Sequence, residues 1–303
     1  MAIPISYILC VLIWGSTWYA IELQLGQVPT EWSIAYRFAI AAVMMFTWCI
    51  VKKKQLRFNR ADHMRMAALG GLLFSGNYMF VYIGTGYLTS GLVAIVFSLL
   101  TFLNIFNARI WLKIPMQSQA LLGALFGLVG LAMIFSKEIT SLSLEDATTL
   151  GILITFCGTF IASLGNTIAA SPAMKRLPLT SLNAWAMLYG AAIMAGVALI
   201  KGEPMIFDDR MSYWWSLSYL SLVGTVVAFN LYLWLIAQIG VAKAAYTAVL
   251  IPMVALVIST LVEGFEWSAV ALTGVGLIVI GNLIMTRKRP PAKRAEESEV
   301  LGL

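Results

Sequence analysis

Long apolar runs alternate with short polar connections along the whole chain. Ten runs come close to or reach the roughly 18 to 25 residues that a helix needs to cross the hydrocarbon core of a bilayer. They are Pro4–Ile21, Trp32–Val51, Met66–Ile83, Ser90–Trp111 and Gln117–Phe135, then Thr149–Ala170, Ser181–Ile200, Tyr213–Ala237, Val241–Val262 and Trp267–Met285. The pattern predicts an all-α membrane protein of ten transmembrane helices. The first run has no Lys or Arg ahead of it and many runs follow, so it is expected to be a retained span and not a cleaved leader. From Arg287 the chain is charged and contains proline, the composition of a disordered tail.

Composition agrees with a membrane setting. Of 303 residues, 60 % are hydrophobic and 11 % charged, against roughly 25 % charged in an ordinary soluble domain. Lys and Arg alternate between connections. With the N-terminus placed in the cytoplasm, the inner segments hold 16 of them and the outer segments hold Lys137, Lys201 and Arg210. The positive-inside bias then predicts both termini in the cytoplasm of a bacterial inner membrane. The net charge of +6 is thereby read as orientation and not as a nucleic-acid surface. Cys10, Cys49 and Cys157 all lie in apolar runs with no metal-ligand spacing, so they are expected to be buried thiols without a chemical role. No metal and no cofactor is expected.

The chain contains an internal repeat. Leu121–Gly130 (LLGALFGLVG) lies over Leu272–Gly281 (LTGVGLIVIG), matching Gly123 to Gly274 and Gly130 to Gly281. Residues 1–135 form a first five-helix repeat, 136–148 a connection, 149–286 a second repeat and 287–303 the tail. Five is odd, so the second half is expected upside down relative to the first, with a substrate site between the halves near the midplane.

Several motifs resemble the drug/metabolite transporter superfamily, EamA-type. The first run carries Trp14-Gly15-Ser16-Thr17-Trp18, the second Pro29 followed by Arg37, and the last two Pro252, Glu263 and Gly274-Val275-Gly276-Leu277-Ile278-Val279-Ile280-Gly281. The resemblance covers nearly the whole chain, and the second half carries it better. Thr101 stands where Pro252 would pair, and Leu112 where Glu263 would. It implies ten helices as two inverted five-helix repeats and export of small metabolites, with the amino-acid exporters, the aromatic amino-acid exporter among them, as the branch most similar in feel.

Candidate substrate-binding residues are polar or aromatic groups deep in the runs, where they should face the protein interior or a wet cavity. They are Trp14, Thr17, Trp18, Asn77, Tyr78, Tyr82, Thr159, Ser163, Asn166 and Tyr246. The plainer reading for Ser and Thr is a bond to their own helix backbone, and for Asn an interhelical contact. Arg37 is read as gating or structural, paired with Glu22 or Glu31. Pro252 removes a backbone hydrogen bond and marks a bend. Glu263 ends its run as a solvated carboxylate whose interest comes from the resemblance alone.

What is missing narrows the function. No Asp or Glu lies near the middle of a run, and His63 is in a basic connection. Transport is therefore expected to follow the substrate's own gradient, with at most weak proton coupling. A midplane cation suited to phosphate esters is absent too. The reading is an exporter of net-neutral metabolites such as amino acids, working by alternating access, with a small-molecule substrate and the bilayer as partners, acting as a monomer. An integral membrane enzyme, a channel and an exporter of organic cations are the alternatives. An enzyme would need clustered His, Asp, Glu or Cys, which the runs lack.

Overall fold

The structure, a computed structural model, describes residues 3–113, 118–134, 136, 147–239 and 247–286. All regular structure among the described residues is helical. The helices are α1 (Ile3–Glu22), α2 (Thr30–Val51), α3 (Arg60–Thr85), α4 (Ser90–Leu112), α5 (Ser118–Ile134) and α6 (Ala147–Ala169). A four-residue α7 (Pro172–Lys175) precedes α8 (Leu179–Lys201). There follow α9, which runs through Met211–Ser218, Tyr219–Val227 and Ala228–Ile239, then α10 (Thr247–Val262) and α11 (Ala269–Thr286). Among the described residues, seven stretches are long and apolar enough to cross a membrane, and the apolar helices Leu125–Ile134, Leu250–Val262 and Ala269–Gly281 are shorter. Large apolar side chains such as Val43, Leu199, Ile200 and Leu261 stand on the exterior, as expected of a surface that meets lipid.

The third helix begins before its apolar run. Asn59 caps it by accepting the Asp62 N–H at 2.9 Å, so the helix starts at Arg60 and not at Met66. The added turns carry Asp62, which pairs with Arg65 and with Arg176. Both α3 and α9 widen into a π segment, at Leu72–Gly76 and Tyr219–Val227. The spacing that lays Gly123 on Gly274 carries Leu72–Gly76 onto Val223–Val227, inside the second π segment. Hydroxyls back each of them: Ser75 Oγ donates to the Gly71 carbonyl, and Thr225 Oγ1 to the Leu220 carbonyl.

Glycines set the closest approaches. On α5 and α11 an added Cβ at Gly274 would lie 2.5 Å from the Gly130 carbonyl oxygen, and one at Gly281 would lie 2.6 Å from the Gly123 carbonyl oxygen. Small residues let helix backbones touch where no hydrophobic force pulls them together. Gly70 likewise brings α3 against the Ala186–Gly190 stretch of α8.

Candidate functional site

Most of the candidate residues fall into three groups. On α1 and α9, Trp14 sits among Phe229 and Tyr232, with ring centroids 5.7 and 5.1 Å away, and its Nε1–H donates to the Gly224 carbonyl at 3.2 Å. That carbonyl belongs to the π segment. Thr17 packs on Gly224 and donates to the Trp14 carbonyl. On α4 and α6, Asn107 Nδ2 donates to Ser163 Oγ at 2.8 Å, and Asn166 Nδ2 to Asn104 Oδ1 at 3.3 Å. Thr159 and Thr167 return their hydroxyls to their own helix backbone. This second group is a satisfied interhelical seam. Asn107, which sequence reasoning passed over, is 1 % exposed and completes it.

The third group is different, because several of its polar atoms are not satisfied. Arg37 on α2 is 2 % exposed, and its Nε and Nη1 have no hydrogen-bond partner. Its guanidinium lies 4.6 Å from the Tyr78 ring centroid and 5.3 Å from that of Phe38. Tyr82 lies within hydrogen-bond reach of Arg37 and donates to Gln24 Oε1 at 2.5 Å. Gln24 Nε2 and Trp18 Nε1 are buried without partners as well. One turn before Arg37, Ser33 meets the Tyr213 hydroxyl at 2.9 Å. Gln24 was not read from the sequence, since a glutamine just past a helix end looks solvated there.

Several expectations are corrected. Arg37 makes no ion pair with Glu22 or Glu31. Glu31 is taken by Lys201 at 2.5 Å, and Glu22 faces Glu263. Glu263 is not a free solvated carboxylate, since the Ser90 N–H and hydroxyl donate to its two oxygens at 2.7 and 2.5 Å. Cys10 and Cys49 are buried but Cys157 is exposed, on the apolar exterior of α6. His63 belongs to α3, where its Nδ1 meets the Tyr189 hydroxyl at 2.9 Å. Asn77 is buried on α3, with Nδ2 donating to the Leu73 carbonyl and Oδ1 unpartnered. Pro252 lies inside α10. Tyr246 lies outside the described residues.

Some of the charge at the ends of the helices is paired. Asp208, in the link between α8 and α9, takes hydrogen bonds from the Arg210 backbone and guanidinium, and Arg210 also donates to the Leu25 carbonyl. The Arg210 side chain holds the Asp208 carboxyl below its ordinary range, although burial works the other way. A cleft of about 410 Å³ opens beside the Glu31–Lys201 pair, lined also by Gln27, Met79 and Ile83. It is a surface feature at the ends of α2, α3 and α8 and holds none of the candidate residues. Among the described residues no three His, Cys, Asp or Glu side chains cluster to hold a metal.

Comparison with known proteins places these features. The profile described as the EamA-like transporter family matches the chain twice, over residues 2–136 and 149–287. The uncharacterized transporter YoaV of Bacillus subtilis is 25 % identical over 81 % of this chain and 83 % of its own length. The uncharacterized inner membrane transporter YedA of Escherichia coli is 24 % identical over 91 % and 87 %. A crystal structure of a protein superposes with a TM-score of 0.67 at 18 % identity, covering 93 % of this chain and 95 % of that one; it shares the fold.

Proposed function

The chain belongs to the EamA-like transporter family, and from that premise we propose that it exports small net-neutral metabolites, amino acids foremost, across a bacterial inner membrane by alternating access. It is a multi-pass membrane transporter of the drug/metabolite transporter superfamily and not an enzyme. The finer architecture proposed is ten spans as two inverted five-helix repeats, 1–135 and 149–286, joined by 136–148 and followed by a cytoplasmic tail, 287–303. The glycine contacts that pair across the halves and the two π segments at matching positions support it. The 16-to-3 distribution of Lys and Arg supports cytoplasmic termini.

Arg37 carries the substrate reading. It lies seven residues beyond the start of α2, roughly 10 Å along the helix at about 1.5 Å per residue. A guanidinium held at that depth with two nitrogens, Nε and Nη1, unmet is costly, by about 1–3 kcal/mol for each orphaned group. A carboxylate matches its planar fork. Tyr78, Tyr82 and Trp18 supply flat apolar surface for an attached side chain. A zwitterion would satisfy the guanidinium with its carboxylate while crossing the membrane without net charge. An organic cation would meet a like charge at the same place, so that alternative is set aside.

Uptake into proteoliposomes tests this, using labelled neutral amino acids, monocarboxylates, sugars and organic cations. Saturable exchange of one or more neutral amino acids, lost in Arg37→Gln, is expected. Transport of organic cations alone, unaffected by Arg37→Gln, would overturn it. Transport of monocarboxylates alone, driven by membrane potential, would keep Arg37 as the site and replace the zwitterion with an anion.

A further inference from the structure

Glu22 is the last residue of α1, and Glu263 follows the last residue of α10. Their carboxyl groups lie within hydrogen-bond reach of each other. The two are furnished differently. Glu263 receives the Ser90 N–H at Oε1 and the Ser90 hydroxyl at Oε2, and the Ser259 side chain also reaches it. Ser90 opens α4, so the positive end of that helix faces the Glu263 carboxyl. Among the described residues Glu22 has no such donors, and its buried Oε2 has no N–H or O–H partner. Two carboxylates in this contact cannot both be ionised, and a hydrogen bond between them needs one proton. The donors around Glu263 make it the anion and leave the proton on Glu22.

We propose that Glu22 and Glu263 form a proton-binding site, in which one shared proton ties α1 to the ends of α4 and α10 and keeps this end of the transporter shut. Release of the proton to water leaves two facing carboxylates, whose repulsion separates the three helices. The helices are already in close contact: an added Cβ at Gly15 would meet Val254, and one at Gly91 would meet Leu256 and Ser259 at 2.9 Å. Among the described residues, Glu263 is the charged group that acts on Glu22, and Glu22 the one that acts on Glu263. Tyr19 on α1, Tyr82 on α3, Tyr87 before α4 and Glu266 after α10 are the other titratable groups of the neighbouring elements at this end. Tyr82 is committed to Gln24. Lys201, at the end of α8, and Arg210, in the link that follows it, are engaged by Glu31 and Asp208. Among the described residues no cation is therefore set against the pair to hold both carboxyls ionised.

The device is one-sided. Leu112 occupies the position that the repeat pairs with Glu263, and the opposite end of the bundle uses the Asp62–Arg176 ion pair instead. Protons would thus act from one face of the membrane.

Two measurements on the full chain test the proposal, and neither needs a substrate, so they stand or fall apart from the substrate reading. Infrared difference spectra between acid and alkaline pH should show a protonated-carboxyl band that persists at neutral pH and is absent in Glu22→Gln. Spin labels at Gln27→Cys and Val262→Cys, in a chain lacking the native cysteines, should move apart as pH rises. In Glu22→Gln the labels should stay close at every pH, because the amide still donates to Glu263 and cannot ionise. A band that survives Glu22→Gln, or a separation that follows pH equally in the parent and in Glu22→Gln, would overturn the proposal. Glu263→Gln should also remove the band, and Glu22→Gln decides the matter alone if that variant does not fold.

Discussion

Gly130 and Gly274 meet backbone to backbone where α5 crosses α11, and their repeat partners Gly281 and Gly123 meet in the same way one turn and more along. Exchanging the halves turns one contact into the other. Contacts that map onto themselves in this manner are the mark of a twofold relation. A sequence match of four glycines thereby becomes a statement about packing.

Tight packing at that crossing sets the first prediction. Gly130→Ala and Gly274→Ala should each lower the thermal midpoint in detergent, with a cost of about 1–3 kcal/mol for the forced separation. Gly276 has nothing within 4 Å of an added Cβ, so Gly276→Ala should leave the midpoint unchanged or raise it, by up to about 1 kcal/mol. Equal responses at all three positions would mean that the crossing does not limit stability.

Arg37 separates binding from folding. Arg37→Gln should weaken substrate binding by roughly 10- to 100-fold, which corresponds to losing a charge-assisted hydrogen bond. Arg37→Lys should fall between, because an ammonium lacks the fork. The substrate-free midpoint of Arg37→Gln should not fall, since the substitution removes a buried cation whose Nε and Nη1 are unmatched. A fall in midpoint with unchanged affinity would make Arg37 a structural residue.

The Asp208–Arg210 clamp predicts an acid-side loss of stability. Hydrogen bonds from the Arg210 side chain lower the Asp208 carboxyl in the folded chain. The folded value lies below the unfolded one, so the clamp stabilises fully above the ordinary aspartate range and its contribution fades as pH falls through the lowered value. Asp208→Asn should cost on the order of 1–3 kcal/mol at neutral pH and flatten the acid side of the midpoint-against-pH curve. An unchanged acid limb would show that the clamp does not report on folding.

Topology is open to a direct check. Reporter fusions at the C-terminal tail should read cytoplasmic, and an insertion at Asp209 should read external. The reverse result would invert the proposed direction in which protons reach Glu22.

The sequence by itself determined the all-helical class, the order of the long apolar segments, the 16-to-3 charge alternation and the glycines of α5 and α11. Apolar run length and Lys/Arg bias depend on the solvent around each segment, and that information is local. It did not determine which faces meet. Helices that are apolar nearly all round carry little facing information, so the partner of each rare polar group comes from packing alone. Glu22 and Glu263 are 241 positions apart, and only the meeting of α1 with α10 sets one carboxyl against the other. Arg37 seemed to have two carboxylates to choose from, until packing gave Glu31 to Lys201 and Glu22 to Glu263. The same packing joined Asn107 to Ser163. Tertiary structure decided what was left unpaired, because a buried polar group in an apolar solvent is satisfied only by whatever the neighbouring helix brings to it.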